Sequence, residues 1–339
     1  MGLAPGPRDA LSVGLRDALS VGLRDALREI MGIRRGDVAL IVHDGPSEQV
    51  SAITREALEL DGVVVHEYLL PEGQRPLAET PAPLIALMGR LRPALIFNQL
   101  EGRADETPFR VGMISEERMC GAKVGHSPDL TVEMISGPMA ADFGEVRRNA
   151  ARLARRLEGA TALRLTSPAG TDLAFSIAGR AFLDDLSIAP GQMGNLPAGE
   201  TWTAPVERSV NGTLVCDGSI GDLGMVPAPV AIRVADGRAL QVRSGDRAYA
   251  GRVAGLLAVD EDAGLAGEFG IGLNPLARLT GLLLEDEKAL GTAHVAFGNN
   301  LDMPGGRNGS ITHRDFLIRS PTIVVQDTGE AVMKDGRLT

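Results

Sequence analysis

Between residues 37 and 98, apolar runs of strand length alternate with runs of helical spacing, and this alternation narrows the possible folds most. Residues 38–42 are continuously apolar, as in a strand buried on both faces. Residues 46–60 place Val50, Ile53, Ala57 and Leu58 at helical intervals, and residues 63–66 form a second strand run. A helix over 82–90, a strand over 94–98 and a weaker segment over 110–119 follow. Strands separated by helices pair in parallel through crossovers, so this part predicts an α/β domain with a parallel sheet and helices on both faces. Asp44-Gly45-Pro46-Ser47 directly follows the first strand, the place where open α/β sheets bind ligands. It lacks the GxGxxG spacing, which argues against a dinucleotide site. His43, His66 and His126 fall in this half and read as strand-end or loop histidines without catalytic duty.

The texture then changes. A helix over Phe143–Leu157 is rich in arginine, which reads as a solvated face. Beyond it, short strands over Ala162–Thr166, 173–177, 213–216, 230–234 and 240–242 are separated by Pro, Gly and Asp turns. That pattern predicts a mainly antiparallel domain. The expected layout is a leader over 1–30, an α/β domain over 31–145 and a β-rich α+β metal-binding domain over 146–339. In the leader, RDALSVGL at 8–15 recurs at 16–23 and starts again at Arg24. A period of eight matches neither the helical repeat nor the heptad, so no stable apolar stripe is expected before a helix near 23–31.

Composition excludes several classes. A net charge of −10 over 339 residues argues against a nucleic-acid groove, which needs clustered Lys and Arg. No apolar run approaches the ~18 residues of a membrane span. Cys120 and Cys216 have no metal-ligand spacing and read as small buried hydrophobes in a reducing, cytoplasmic protein.

The chemistry-bearing residues gather late in the chain. GEFGIGLNP, EDEKALGTAHVAFGNN and ITHRDFLIRSP contain Glu268, Glu287, His294, His313 and Asp315, residue types that hold transition metals with mixed nitrogen and oxygen donors. Two of the five histidines lie here. His313 and Asp315 are two apart, so in a strand both face one side. Glu200 ends GNLPAGE beside the single tryptophan, Trp202, and can equally be a surface or a site residue. Glu268 among glycines fits a close approach or a bulge. Glu285, Asp286 and Glu287 read by default as a solvated helix start, and His294 fits a core histidine as well as a ligand.

The phrases TSPAGTDLAFSIAGR, GNLPAGETWTAPVE, SVNGTL, GEFGIGLNP, EDEKALGTAHVAFGNN and THRDF resemble the metallopeptidase family of the thermophilic aminopeptidases T and S, especially its shorter "leucyl aminopeptidase" members. The resemblance implies two divalent ions (zinc, cobalt or manganese) held by Glu200, Glu268, His294, His313 and Asp315. Glu287 matches a further family glutamate at a spacing two residues longer. It also implies amide hydrolysis of a small amide or short peptide, and a homodimer. Leu301 stands where the long peptidases have a tyrosine with a catalytic role. The chain also resembles the 2,5-dihydroxypyridine dioxygenase, which holds one ferrous ion through His, His and Asp. That enzyme has His at the place of Glu268 and apolar residues at those of Glu200 and His294. A metal-binding protein without catalysis is the third alternative.

Overall fold

The computed structural model describes residues 13–339, which divide into two compact units. The first runs to Ala140 and includes Ile188–Met193. Its opening helix α1 spans Val13–Met31, so the second octapeptide copy is helical, contrary to the expectation of a later start. Leu19, Leu23, Ala26, Leu27, Ile30 and Met31 are buried, at the intervals of one helix face. The octapeptide period therefore does not prevent a stripe, because Leu19 and Leu23 of the second copy and Leu27 of the third start follow one another at intervals of four along that face. The start of the first copy lies outside the described residues.

Strands β1 (Val38–His43), β2 (Val64–Leu69), β3 (Leu95–Gln99) and β4 (Lys123–His126) form a parallel sheet in the order β2-β1-β3-β4, with the short β8 (Met193–Asn195) at the β4 edge. Helices α2 (Glu48–Leu60), α3 (Ala82–Leu91), α4 (Thr107–Met119) and α5 (Val132–Ser136) belong to the same unit. Leu40, Val42, Ile96 and Val124 from the strands pack with Leu84 and Met88 of α3 and Phe109 and Met113 of α4. The weaker segment is thus a true helix, held by two large buried side chains. The ligand-site position after β1 serves the fold instead. Asp44 is fully buried, and its carboxylate accepts from the Ser47 and Glu101 backbone N–H groups and the Arg75 guanidinium. Arg75 also donates to the buried Glu106, Nε to Oε1 at 3.0 Å. Burial raises the pKa of Asp44 and Glu106, but these bonds outweigh it and hold both below their usual range.

In the second unit, α6 (Phe143–Leu157) starts where the Asp142 carboxylate accepts from the Glu145 N–H and buries Phe143, Val146, Ala150, Leu153 and Leu157. Two sheets follow. One has eight strands in the order β14-β13-β10-β6-β5-β18-β19-β20. These are β5 (Ala162–Thr166), β6 (Asp172–Ser176), β10 (Asn211–Cys216), β13 (Val230–Ala235), β14 (Arg238–Ser244), β18 (Thr322–Val325), β19 (Glu330–Lys334) and β20 (Arg337–Leu338). The other has seven in the order β12-β11-β17-β16-β15-β9-β7. Its members are β7 (Leu183–Asp184), β9 (Glu200–Thr203), β11 (Ser219–Ile220), β12 (Gly224–Met225), β15 (Ala266–Gly272), β16 (Thr292–Gly298) and β17 (His313–Arg319). The pairings are antiparallel, as the turn-rich texture predicts. Helix α7 (Arg247–Leu256) and the one-turn α8 (Leu283–Asp286) complete the unit. Among the described residues no helix is long and apolar enough to cross a membrane.

Candidate metal centre

The central strands of the seven-stranded sheet bring together residues far apart in sequence. His294 on β16 lies opposite Gly270 on β15, and Gly270 opposite Trp202 on β9. Glu268 pairs with Ala296, which pairs with Asp315 on β17; Gly298 pairs with His313. Paired residues share a face and the side-chain period is two. Glu200, Glu268, His294, His313 and Asp315 therefore project to the same face. Both readings of the glycines around Glu268 hold. The register slips between Ala266 and Glu268, which is the bulge, and a Cβ on Gly270 would meet His294 Nε2 at 2.0 Å, which is the close approach.

The side chains converge. Glu268 presents Oε1 to His294 Nε2 and Oε2 to His313 Nε2, each at 3.2 Å. Glu200 Oε2 lies 3.4 Å from His294 Nε2, and Asp315 Oδ1 lies 3.9 Å and 3.7 Å from the two imidazoles. Two groups of donor atoms could each hold a metal ion: Glu200, Glu268 and His294, and Glu268, His313 and Asp315, with atoms within 4.8 Å of one another in each. Glu268 belongs to both. His294 is 1 % exposed, whereas the His313 side chain is 32 % exposed, so the cluster opens to solvent on the His313 side. His313 Nδ1 lies 2.7 Å from the Asn299 carbonyl; an N–H there fixes the tautomer that turns Nε2 inward.

Glu287 is not in either group. It caps α8, buried, and its Oε1 accepts from Lys288 Nζ at 2.5 Å. The acidic run before it is buried too, contrary to the solvated reading. Glu285 accepts from the Arg278 N–H, and Asp286 accepts from Ser219 Oγ and the Thr280 and Gly281 N–H groups. These anchors satisfy carboxylates that sequence alone assigns to water. Lys288 itself, fully buried, and Asp185 were not picked out from sequence. A lysine after three acids reads as surface charge; the signal available was its position one residue from a candidate ligand.

Burial would lower the pKa of His294, yet Glu268, Glu200 and Asp315 raise it to about 9. Burial would raise that of Glu268, but hydrogen bonds from both histidines bring it down to about 2. Burial, with Glu287 and Asp185 nearby, lifts Glu200 well above the carboxylate range despite Lys288 and His294. Without a metal this centre holds protons, and cations that bind there displace them. The donor set fits such ions. Among the described residues, Glu200 Oε2, the oxygen beside His294 Nε2, is buried with no hydrogen-bond partner, and two imidazoles with carboxylate oxygens suit zinc, cobalt, manganese or ferrous iron.

The other histidines do not join the cluster. His43 and His126 are buried at strand ends of the first unit, and burial lowers the pKa of His126 to about 3, so it stays neutral. Cys216 is buried and Cys120 exposed, so the buried reading fails for the latter.

The fold has known counterparts. The 2,5-dihydroxypyridine dioxygenase from Pseudomonas putida KT2440 is similar in structure, with a TM-score of 0.76 and 18 % identity over 97 % of this chain and 98 % of that one. AmpT from Thermus thermophilus is similar with a TM-score of 0.67 and 18 % identity, over 96 % of this chain and 100 % of that one. At this identity the likeness shows a shared fold. No curated protein matches the sequence. The NicX family model, described as 2,5-dihydroxypyridine 5,6-dioxygenase, matches residues 133–339, a span that holds every residue of the cluster. That span is well over half of the chain, and the protein therefore belongs to the NicX family.

Proposed function

We propose that the chain is a metal-dependent hydrolase of amide bonds, aminopeptidase-like in its chemistry, acting on a small amide or short peptide with two divalent ions. The observation that carries this reading is Glu268, which offers one oxygen to each of two donor groups. A carboxylate so placed suits a bridge between two cations, and a single ion has no need of Glu200 and His294. Bound divalent ions supply the Lewis acidity that lowers the pKa of water toward neutrality and polarises a carbonyl. The protein's part is positional. Glu200 and His294 form the closed side, His313 and Asp315 the side nearer solvent, and the Asn299 carbonyl sets the His313 ring. Substrate is expected to approach past His313, the only exposed member of the five.

The family match favours a second reading, ring-cleaving dioxygenase chemistry with one ferrous ion at Glu268, His313 and Asp315. A carboxylate–histidine–carboxylate set is one imidazole short of the usual facial triad, which weighs against it. One assay separates the two. Protein purified without chelator is analysed for metal, then offered aminoacyl amides, short peptides and aromatic amides, with and without oxygen. The hydrolase reading expects about two ions per chain, loss of turnover with chelator, recovery with Zn²⁺, Co²⁺ or Mn²⁺, and indifference to oxygen. Turnover that requires both ferrous iron and oxygen overturns it. His313→Ala and Asp315→Ala should each lower metal content and cut activity by about 100-fold or more while circular dichroism stays unchanged. Full occupancy in both would remove these residues from the centre.

A further inference from the structure

The acidic cluster has a resident cation. Lys288 is fully buried, and its ammonium donates to Glu200 Oε1 and to Glu287 Oε1, with Asp185 Oδ2 3.5 Å away. An ammonium has three donors, and here it faces three carboxylates. Asp185 turns its other oxygen to the backbone N–H groups of Gly199 and Glu200, so the same assembly holds the loop end that aims Glu200.

The charges then balance in a definite way. Asp185, Glu200, Glu268, Glu287 and Asp315 are five buried carboxylates, and Lys288 is the one ammonium among them, which leaves four negative charges. With neutral imidazoles, two divalent cations supply four positive ones. Buried charge is costly unless compensated, so one divalent ion would leave two charges unmatched. Without the lysine, two ions would leave one.

We propose that Lys288 is the built-in counter-ion of this centre: it engages Glu287, Asp185 and one oxygen of Glu200, keeps those donors from the metals, and limits the cluster to two divalent ions. The inference deepens the two-ion reading and rests on it. Glu287 thereby becomes a partner of the lysine, not a ligand. Glu200 becomes a one-oxygen ligand, because its remaining oxygen, Oε2, is the atom beside His294. Lys288 is a positioning residue, so its test reads metal number and metal-free stability.

The full chain is stripped with chelator, its Tm is measured, and Zn²⁺ is titrated back with ions per chain counted by elemental analysis. Glu287→Gln and Lys288→Arg should both keep the wild-type number of ions, with affinity weakened by no more than about 10–100-fold, as for groups that act through a ligand. Lys288→Met, which keeps length and loses charge, should show a lower metal-free Tm than wild type and, with the carboxylates of Asp185, Glu200 and Glu287 released as donors, take up one further cation in the ammonium's place. If Lys288→Met does not fold, the other two variants decide. Loss of an ion in Glu287→Gln makes Glu287 a ligand and overturns the proposal. So does a Lys288→Met protein with wild-type ion number and wild-type metal-free Tm. A wild-type chain that takes only one ion overturns the two-ion reading and the limit of two, while Glu287→Gln still judges the role of Glu287 separately.

Discussion

Burial of single charged side chains separates what the sequence displays from what it hides. His313 and Asp315 are legible because a spacing of two in a strand puts both on one face, and the structure places both beside Glu268. Lys288 and Glu285 are not legible, since lysines and glutamates are mostly exposed and burial is decided by partners elsewhere in the chain. Glu117 is a further case, in the first unit. It is fully buried on α4, takes one hydrogen bond from Asn98 Nδ2 at 2.7 Å, and burial pushes its pKa up to about 8. A carboxyl whose folded pKa lies above its unfolded value contributes stability that is fully present below about pH 4.5 and is lost as pH rises to about 8. Glu117→Gln cannot ionise. Its stability relative to wild type should therefore climb by about 1.4 kcal/mol per pH unit across that window and level off above it. Urea midpoints at pH 5 and pH 8 check this; an equal difference at both would show that Glu117 ionises freely.

At the scale of elements, type was easier to read than partnership. Helices such as α6 and strands such as β5 follow directly from periodicity and turn residues. Pairing does not: β5 lies between β6, its hairpin neighbour, and β18, a strand distant in sequence, and nothing local records that choice. The acidic stretch 285–287 reads as solvated for the same reason, because α8 is one turn long and is buried by contacts from β11 and the preceding loop that no local pattern records. Within the seven-stranded sheet, the meeting of β15 and β16 depends on a missing side chain. Gly270→Ala should push the His294 ring from its seat, since the added Cβ would lie 2.0 Å from Nε2. The expected result is a folded protein with reduced metal content, seen by elemental analysis alongside unchanged far-ultraviolet circular dichroism. Wild-type metal content would show that the strand can move aside.

For the molecule as a whole, the parallel sheet ends on β2, whose outer edge has no strand partner among the described residues. Val64 and Leu69 on that strand are 50 % and 58 % exposed. Open apolar edges tend to be covered, and we expect a homodimer, with light scattering at micromolar concentration giving twice the chain mass. A monomer mass would overturn it. The five converging side chains are drawn from positions 200 to 315, and the latest two sit on the strand beside β16. A growing chain leaves the ribosome with Glu200 and Glu268 long before His313 and Asp315 exist. The donor group of Glu268, His313 and Asp315 is complete only once that late strand has docked on β16. A chain on a ribosome stalled before residue 313 already carries Glu200, Glu268 and His294, so the two halves of the cluster are made in order, the closed side first and the solvent side last.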